Sequence, residues 1–185
     1  RSLRSQDLNT QLTALTPDLF VVVAFKILPK SLIDLPRFGA LNLHASLLPK
    51  YRGAGPIQWA LMNGDTTTGV TVFQITPDVD TGDILLQQEI AIAADDTMWT
   101  LGMRLCEAGA ELVIEAMDAL ETGSISGRPQ DPLLATPAPK ITKEMTLIDW
   151  SWPAEKIHNW VRGLSPFPGM VTTIGGKQFR IFKTA

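Results

Sequence analysis

The sequence predicts an α/β fold built on an open, mostly parallel sheet, and three observations carry that prediction. Leu19-Phe20-Val21-Val22-Val23-Ala24 is continuously apolar and rich in β-branched residues, the pattern of a strand buried on both faces of a parallel sheet. Helical segments separate the strand-like runs. Finally, Asn42 and His44 fall on one face of a strand over 40–44 while Leu41 and Leu43 fall on the other, because side chains alternate along an extended chain. That strand runs into a loop holding Pro49, Gly53, Gly55 and Pro56, and open α/β sheets hold their ligands beside such strand ends.

The elements follow in order. A short amphipathic helix over 7–15 feeds the strand at 19–24, and a short helix near 30–35 separates it from the strand at 40–44. Pro56 suits the first position of a helix that carries Trp59, Ala60 and Met62 and stops near Gly64. Residues 69–76 and 84–92 read as strands joined by the acidic turn Pro77-Asp78-Val79-Asp80-Thr81-Gly82-Asp83. Asp95-Asp96-Thr97 caps a long helix marked by Leu101, Leu105, Ala108, Leu112, Glu115 and Ala119, with its apolar positions facing the core, and Gly123 ends it. Residues 124–143 read as a Pro/Ser/Gly-rich linker. The last unit holds Ile148-Asp149-Trp150, a helix over 154–162, the loop 163–169 and a hairpin turning at Gly175-Gly176.

Composition narrows the function classes. At 185 residues the chain can bury a sizeable core, and no apolar run reaches the length of a membrane span. The net charge of −3 divides unevenly: residues 1–139 carry 9 basic against 16 acidic side chains, and residues 140–185 carry 7 against 3. On charge alone this is a solvated surface rather than a polyanion site. A single cysteine, Cys106, forms no internal disulfide, and its apolar helical neighbours read as those of an inert core thiol, consistent with a reducing cytoplasm. The chain lacks an initiator Met and a signal peptide and reads like the middle of a larger fold.

Chemistry concentrates around Asn42 and His44. An amide hydrogen-bonds a polar reaction centre, an imidazole moves a proton, and a buried strand has no structural use for the two side by side. The 77–83 turn carries more acid than turn geometry requires, and Asp80 placed beside the strand would orient His44 and stabilise its protonated form. A calcium loop through Asp78, Asp80 and Glu89 is discounted because Gly82 falls one position early and a strand follows. With two histidines, one cysteine and no close ligand spacing, no metal site is expected. The Gly-rich nucleotide loops and the G-x-S-x-G elbow are missing, which disfavours dinucleotide, phosphate-loop and serine-hydrolase chemistry. His158 reads as a packing or surface residue and Trp150, Trp152 and Trp160 as core. Arg52 meets either an anion or solvent.

Asn42-Leu43-His44-Ala45-Ser46-Leu47-Leu48-Pro49-Lys50-Tyr51-Arg52-Gly53 together with Asp80-Thr81-Gly82-Asp83 resembles the folate-dependent formyltransferases. Within that family, Ile148-Asp149-Trp150 and Arg162-Gly163-Leu164-Ser165-Pro166-Phe167-Pro168-Gly169 resemble the passage into the C-terminal domain of the members that act on methionyl-tRNA. The resemblance implies a Rossmann-like formyltransferase fold, truncated at the N-terminus. Its catalytic domain would cover 1–123, a linker 124–143, and the start of an OB-like β-barrel 144–185. It implies formyl transfer from 10-formyltetrahydrofolate to the amino group of methionyl-tRNA for translation initiation, by a cytoplasmic monomer that uses no metal. By the same resemblance Asn42 holds the formyl oxygen and stabilises the oxyanion, His44 assists proton movement, and Asp80 tunes His44 and relays the proton. Ser46, Leu47, Leu48 and Pro49 resemble the segment lining the folate site, and Ala24, Phe25, Ile27 and Leu28 the backbone that cradles the pterin.

Other readings share the scaffold: a nucleotide-sugar formyltransferase, or the hydrolase domain of formyltetrahydrofolate dehydrogenase, which typically lacks an Asn where Asn42 stands. A glycinamide ribonucleotide formyltransferase usually ends near the long helix, so the 148–169 passage argues against it. A reading of another class is a catalytically silent folate- or RNA-binding module, against which Asn42, His44 and Asp80 speak.

Overall fold

The structure is a computed structural model that describes residues 3–23 and 27–184. The elements run α1 (Gln6–Ala14), β1 (Phe20–Val22), α2 (Lys30–Ile33), β2 (Ala40–His44), α3 (Pro56–Met62), β3 (Thr67–Gln74), β4 (Ile84–Ala91) and α4 (Met98–Glu121), then α5 (Ala154–Gly163), β5 (Met170–Ile174) and β6 (Lys177–Ile181). Strands β1 to β4 form one sheet in that order, and β5 and β6 form a separate hairpin.

The sheet opens in parallel, with Phe20 opposite Ala40 and Val22 opposite Asn42. It continues antiparallel: Asn42 lies opposite Phe73 and His44 opposite Thr71, and β3 pairs with β4 from Thr67–Ala91 to Phe73–Ile84. Parallel pairing therefore marks the leading edge, and the two later pairings are not parallel. The 75–83 turn returns β4 directly beside β3, and so short a connection permits only the antiparallel arrangement.

Strand β2 divides the molecule. Leu41 is fully buried and joins Val70 and Val72 of β3 and Leu101, Leu105, Leu112 and Ala116 of α4 in the main core. Helix α4 starts on a reciprocal cap: the Thr97 hydroxyl accepts from the Thr100 amide at 3.2 Å, and the Thr100 hydroxyl accepts from the Thr97 amide at 2.9 Å. Its buried stripe runs Leu101, Leu105, Gly109, Leu112, Ala116, so Glu115 is solvent-facing and Ala119 only half-buried. Cys106, expected in the core, is exposed, because one residue beyond Leu105 the helix has turned about 100° away from the sheet. Strand β1 also departs from expectation. It is assigned over Phe20–Val22, and Val21 and Val23 are 43% and 56% exposed instead of buried on both faces, because the described residues pack against its Phe20/Val22 face.

The C-terminal unit packs through α5 against α3, where Met62 meets Ile157, Val161, Leu164 and Met170. Trp152 and Trp160 pack at 4.9 Å, tilted by 57°, beside this cluster as expected of core residues, whereas Trp150 is exposed and its indole donates to the Thr172 hydroxyl. Arg162 ties α5 to the start of α4 by donating to the Ala93 and Asp96 carbonyls at 3.3 and 3.2 Å. The segment between the two units is no free tether. It runs beside the loop after β2, with the Arg52 amide donating to Thr136 at 2.9 Å, the Ala138 amide to Arg52 at 2.7 Å and the Gly55 amide to Ala138 at 3.0 Å. Gly53 makes this approach possible: at φ +124° it occupies backbone space that disfavours side chains, and a Cβ there would sit 2.6 Å from the Ala138 carbonyl oxygen.

Candidate active site

On the face of β2 opposite Leu41, His44 is buried, and its ring is fixed from two directions. The imidazole Nε2 lies 2.8 Å from the Tyr51 carbonyl oxygen, which only accepts, so this nitrogen carries a proton. Tyr51 sits at φ +62°, and this left-handed conformation accompanies the carbonyl's approach to the ring. The Phe73 ring, opposite Asn42 in the ladder, packs edge-on to the imidazole at 6.5 Å and 87°. The remaining ring nitrogen, Nδ1, faces Asp80 Oδ2 at 3.7 Å, an ion-pair separation longer than a hydrogen bond. With Nε2 committed to Tyr51, a proton arriving at Nδ1 makes the imidazolium and meets the carboxylate directly.

Asp80 reaches this position through a strained turn. Its own φ is +53°, and its Oδ2 accepts from the Gly53 amide at 2.8 Å, joining the turn to the loop after β2. Gly82 lets the turn fold back on β3, for a Cβ there would lie 1.6 Å from the Gln74 carbonyl oxygen. Tyr51 anchors the loop at its other end. Its hydroxyl donates to Asp65 at 2.7 Å and accepts from Asn63 at 3.0 Å, and burial pushes its pKa up to about 12.

Asn42, His44 and Asp80 open together on a cavity of about 680 Å³, walled further by Val23, Ala54 and Leu105. Cys106 also lines this cavity. The Asn42 Oδ1 is buried and has no hydrogen-bond partner among the described residues. A buried acceptor left unpaired costs free energy, so its place at a cavity wall fits a site made for a ligand that donates to it. A smaller cavity of about 110 Å³ continues from Asn42 and Asp80 past Val79 to Ile27 and Leu28.

The residues named from the sequence thus sort into three groups. Asn42, His44 and Asp80 converge. Ile27, 66% exposed, and buried Leu28 line the adjoining small cavity, while Ala24 and Phe25 lie outside the described residues. Ser46, Leu47, Leu48 and Pro49 line neither of these two cavities. The Ser46 hydroxyl donates to the Lys50 carbonyl at 2.6 Å, Leu47 covers Gly69, and Leu48 is buried against Phe73 and Ile84. Leu48 also donates its amide to Thr71 and receives Gln87 on its carbonyl. These side chains are spent on holding the loop behind the site.

Arg52 meets neither anion nor bulk solvent as its main partner: its guanidinium donates twice to Gln130, at 3.1 and 2.7 Å. His158 bonds the Thr184 hydroxyl at 2.7 Å, a packing role far from the cavity's carboxylate. Sequence reasoning missed the Tyr51 carbonyl, the Gly53 amide and Gln130, since backbone groups leave no residue signature and a linker glutamine looks like any other. Among the described residues no three His, Cys, Asp or Glu side chains are grouped to hold a metal, and no helix is long and apolar enough to cross a membrane.

An Asn and a His on one strand, with a carboxylate 3.7 Å from the imidazole and a cavity bordering all three, make a candidate active site on an α/β sheet. Residues 1–117 match the formyl transferase family and residues 140–185 match the formyl transferase C-terminal domain, and the chain belongs to this family. A methionyl-tRNA formyltransferase from Geobacter metallireducens is 45% identical over 186 residues, covering 100% of this chain and 60% of the relative. The chain spans about 60% of the length of such curated relatives. Among solved structures, HypX from Aquifex aeolicus in complex with tetrahydrofolic acid aligns with a TM-score of 0.79 at 23% identity, over 93% of this chain and 30% of that one. Methionyl-tRNA formyltransferase from Clostridium thermocellum aligns with a TM-score of 0.71 at 18% identity, over 94% of this chain and 75% of that one. At these identities the two structures bear on the fold alone.

Proposed function

We propose that this chain is the catalytic portion of an enzyme that transfers the formyl group of 10-formyltetrahydrofolate to the amino group of methionyl-tRNA. The observation that carries the reading is the convergence of Asn42, His44 and Asp80 on one cavity, with the Asn42 acceptor unpaired there. The identity to methionyl-tRNA formyltransferases over the whole chain supports this acceptor. We further propose the domain division at 123 and 144, a monomer, and action in the cytoplasm.

The folate would supply an activated formyl carbon when bound, with its ring held from the Ile27 and Leu28 side. Asn42 orients the carbonyl, since its amide N–H donates to the oxygen as negative charge grows there and its Oδ1 accepts from the attacking amine. As the new C–N bond forms and the bond from the formyl carbon to the folate nitrogen breaks, the amine would shed a proton and the folate nitrogen would gain one. His44 Nδ1 is placed to take and return that proton, and Asp80 at 3.7 Å stabilises the transient imidazolium. Tyr51 and Gly53, through backbone groups, hold the pair in register.

The complete protein, offered 10-formyltetrahydrofolate with methionyl-tRNA, glycinamide ribonucleotide, an amino-sugar nucleotide or water, tests the acceptor. Formylation of methionyl-tRNA with the other three at background is the expected result. Turnover with a sugar nucleotide or water instead, or with none of the four, would overturn the reading.

A further inference from the structure

Gln130 lies in the segment between the two units, 50 residues along the chain from Asp80, yet it touches both halves of the candidate catalytic pair's support. Its Nε2 donates to the Asp80 carbonyl at 3.0 Å and to the Gly82 carbonyl at 2.7 Å. Its Oε1 accepts from Arg52 Nε at 3.1 Å and Nη2 at 2.7 Å. Both donors and both lone pairs of the amide are thereby used, which fixes its orientation. A paired bridge anchors the backbone two residues earlier, where Arg128 and Ile84 exchange amide-to-carbonyl bonds at 2.8 Å in each direction.

The partners matter more than their number. Asp80 holds a left-handed backbone, which costs any non-glycine residue some free energy even though Asp tolerates it better than most, so contacts that hold the turn matter to where its carboxylate sits. Arg52 directly precedes Gly53, whose amide holds Asp80 Oδ2. Gln130 thus clamps the Asp80 turn and the 51–53 loop against each other, and His44 Nδ1 meets Asp80 where they close. We propose that Gln130 is a positioning residue that holds the Asp80 carboxylate opposite His44, so that the inter-unit segment forms part of the catalytic frame. The catalytic half of this inference rests on the formyl-transfer reading above.

The test uses the complete protein with Gln130→Ala and Gln130→Glu. Glutamate keeps the length and the Arg52 partner but loses both donors and sets an anionic oxygen against two carbonyls. Expected for both variants is a kcat about 10- to 100-fold lower, the scale of loss from displacing a reacting group by about 1 Å, with KM for 10-formyltetrahydrofolate within about twofold. A second readout needs no turnover: the Gly53 amide hydrogen should exchange faster in both variants while the Ile92 amide, bonded to Thr66, keeps its rate. Wild-type kcat in Gln130→Glu, a loss confined to KM, or unchanged Gly53 exchange would each overturn the proposal. Should Gln130→Ala not fold, Gln130→Glu decides alone. A wild-type protein inactive on methionyl-tRNA would sink the acceptor reading, and the exchange measurement would still decide whether Gln130 holds the turn.

Discussion

The two sides of the candidate site are built differently. On one side, the loop after β2 and the Asp80 turn are cross-linked by polar contacts from His44, Gly53, Arg52 and Tyr51 to Tyr51, Asp80, Gln130 and Asp65 respectively. On the other, Val23 just past β1, and Ile27 in the adjoining small cavity, present apolar side chains that are more than half exposed. The contrast matches two different tasks. Groups that must meet a reacting atom need fixed positions, because small displacements cost rate steeply. A wall that receives the flat, apolar face of a ligand needs contact area more than angular precision.

Several measurements can break or sharpen that contrast. His44→Ala attacks the fixed wall at its centre and should lower kcat by about 10²- to 10⁴-fold, the usual weight of a general acid–base group, with folate affinity retained in a binding assay. A variant that turns over at the wild-type rate contradicts the assignment. Gly82→Ala alters no candidate catalytic side chain but pushes the turn that carries Asp80 off the Gln74 carbonyl. We expect a kcat loss of about 10²-fold and a stability loss of about 1–3 kcal/mol in denaturant melts.

Tyr51→Phe removes the phenol's two hydrogen bonds and should cost about 1–2 kcal/mol of stability. It also changes the alkaline limb. In the wild type an unfolded tyrosine ionises near 10.0, whereas the folded one keeps its proton to about 12. This contribution is therefore fully present below about pH 10 and lost as pH rises to about 12, and Tyr51→Phe should lack that component. Ile27→Ala tests the soft wall and should act least, raising KM for the folate about three- to tenfold through lost apolar contact while leaving kcat unchanged. A kcat loss there equal to that of Gly82→Ala would erase the distinction between the walls.

Much of the site was legible because strand periodicity is rigid. Once β2 is placed at 40–44, Asn42 and His44 must share a face, and the structure has that strand at Ala40–His44. The α3 start at Pro56 and the hairpin at Gly175-Gly176 were equally plain, since proline at a first helical turn and paired glycines between strands have few other uses. Long-range consequences were less visible. The apolar run 19–24 looks doubly buried, yet burial depends on neighbours that its own residues do not specify. Helix α4 has apolar residues on more than one face, so periodicity alone could not tell that Leu105 is buried and Cys106 exposed. The bonds that Leu48 makes to Thr71 and Gln87 were not legible either, since they depend on β3 and β4 being brought beside the loop.

Asn42→Ala in the complete protein, measured by single-turnover formyl transfer to methionyl-tRNA, tests the central claim most directly, because the Asn42 Oδ1 is the buried group left waiting for a partner. The expected rate is about 10²- to 10³-fold lower, the weight of one oxyanion donor, here the Asn42 amide N–H, with 10-formyltetrahydrofolate still bound. Transfer at the wild-type rate would contradict it.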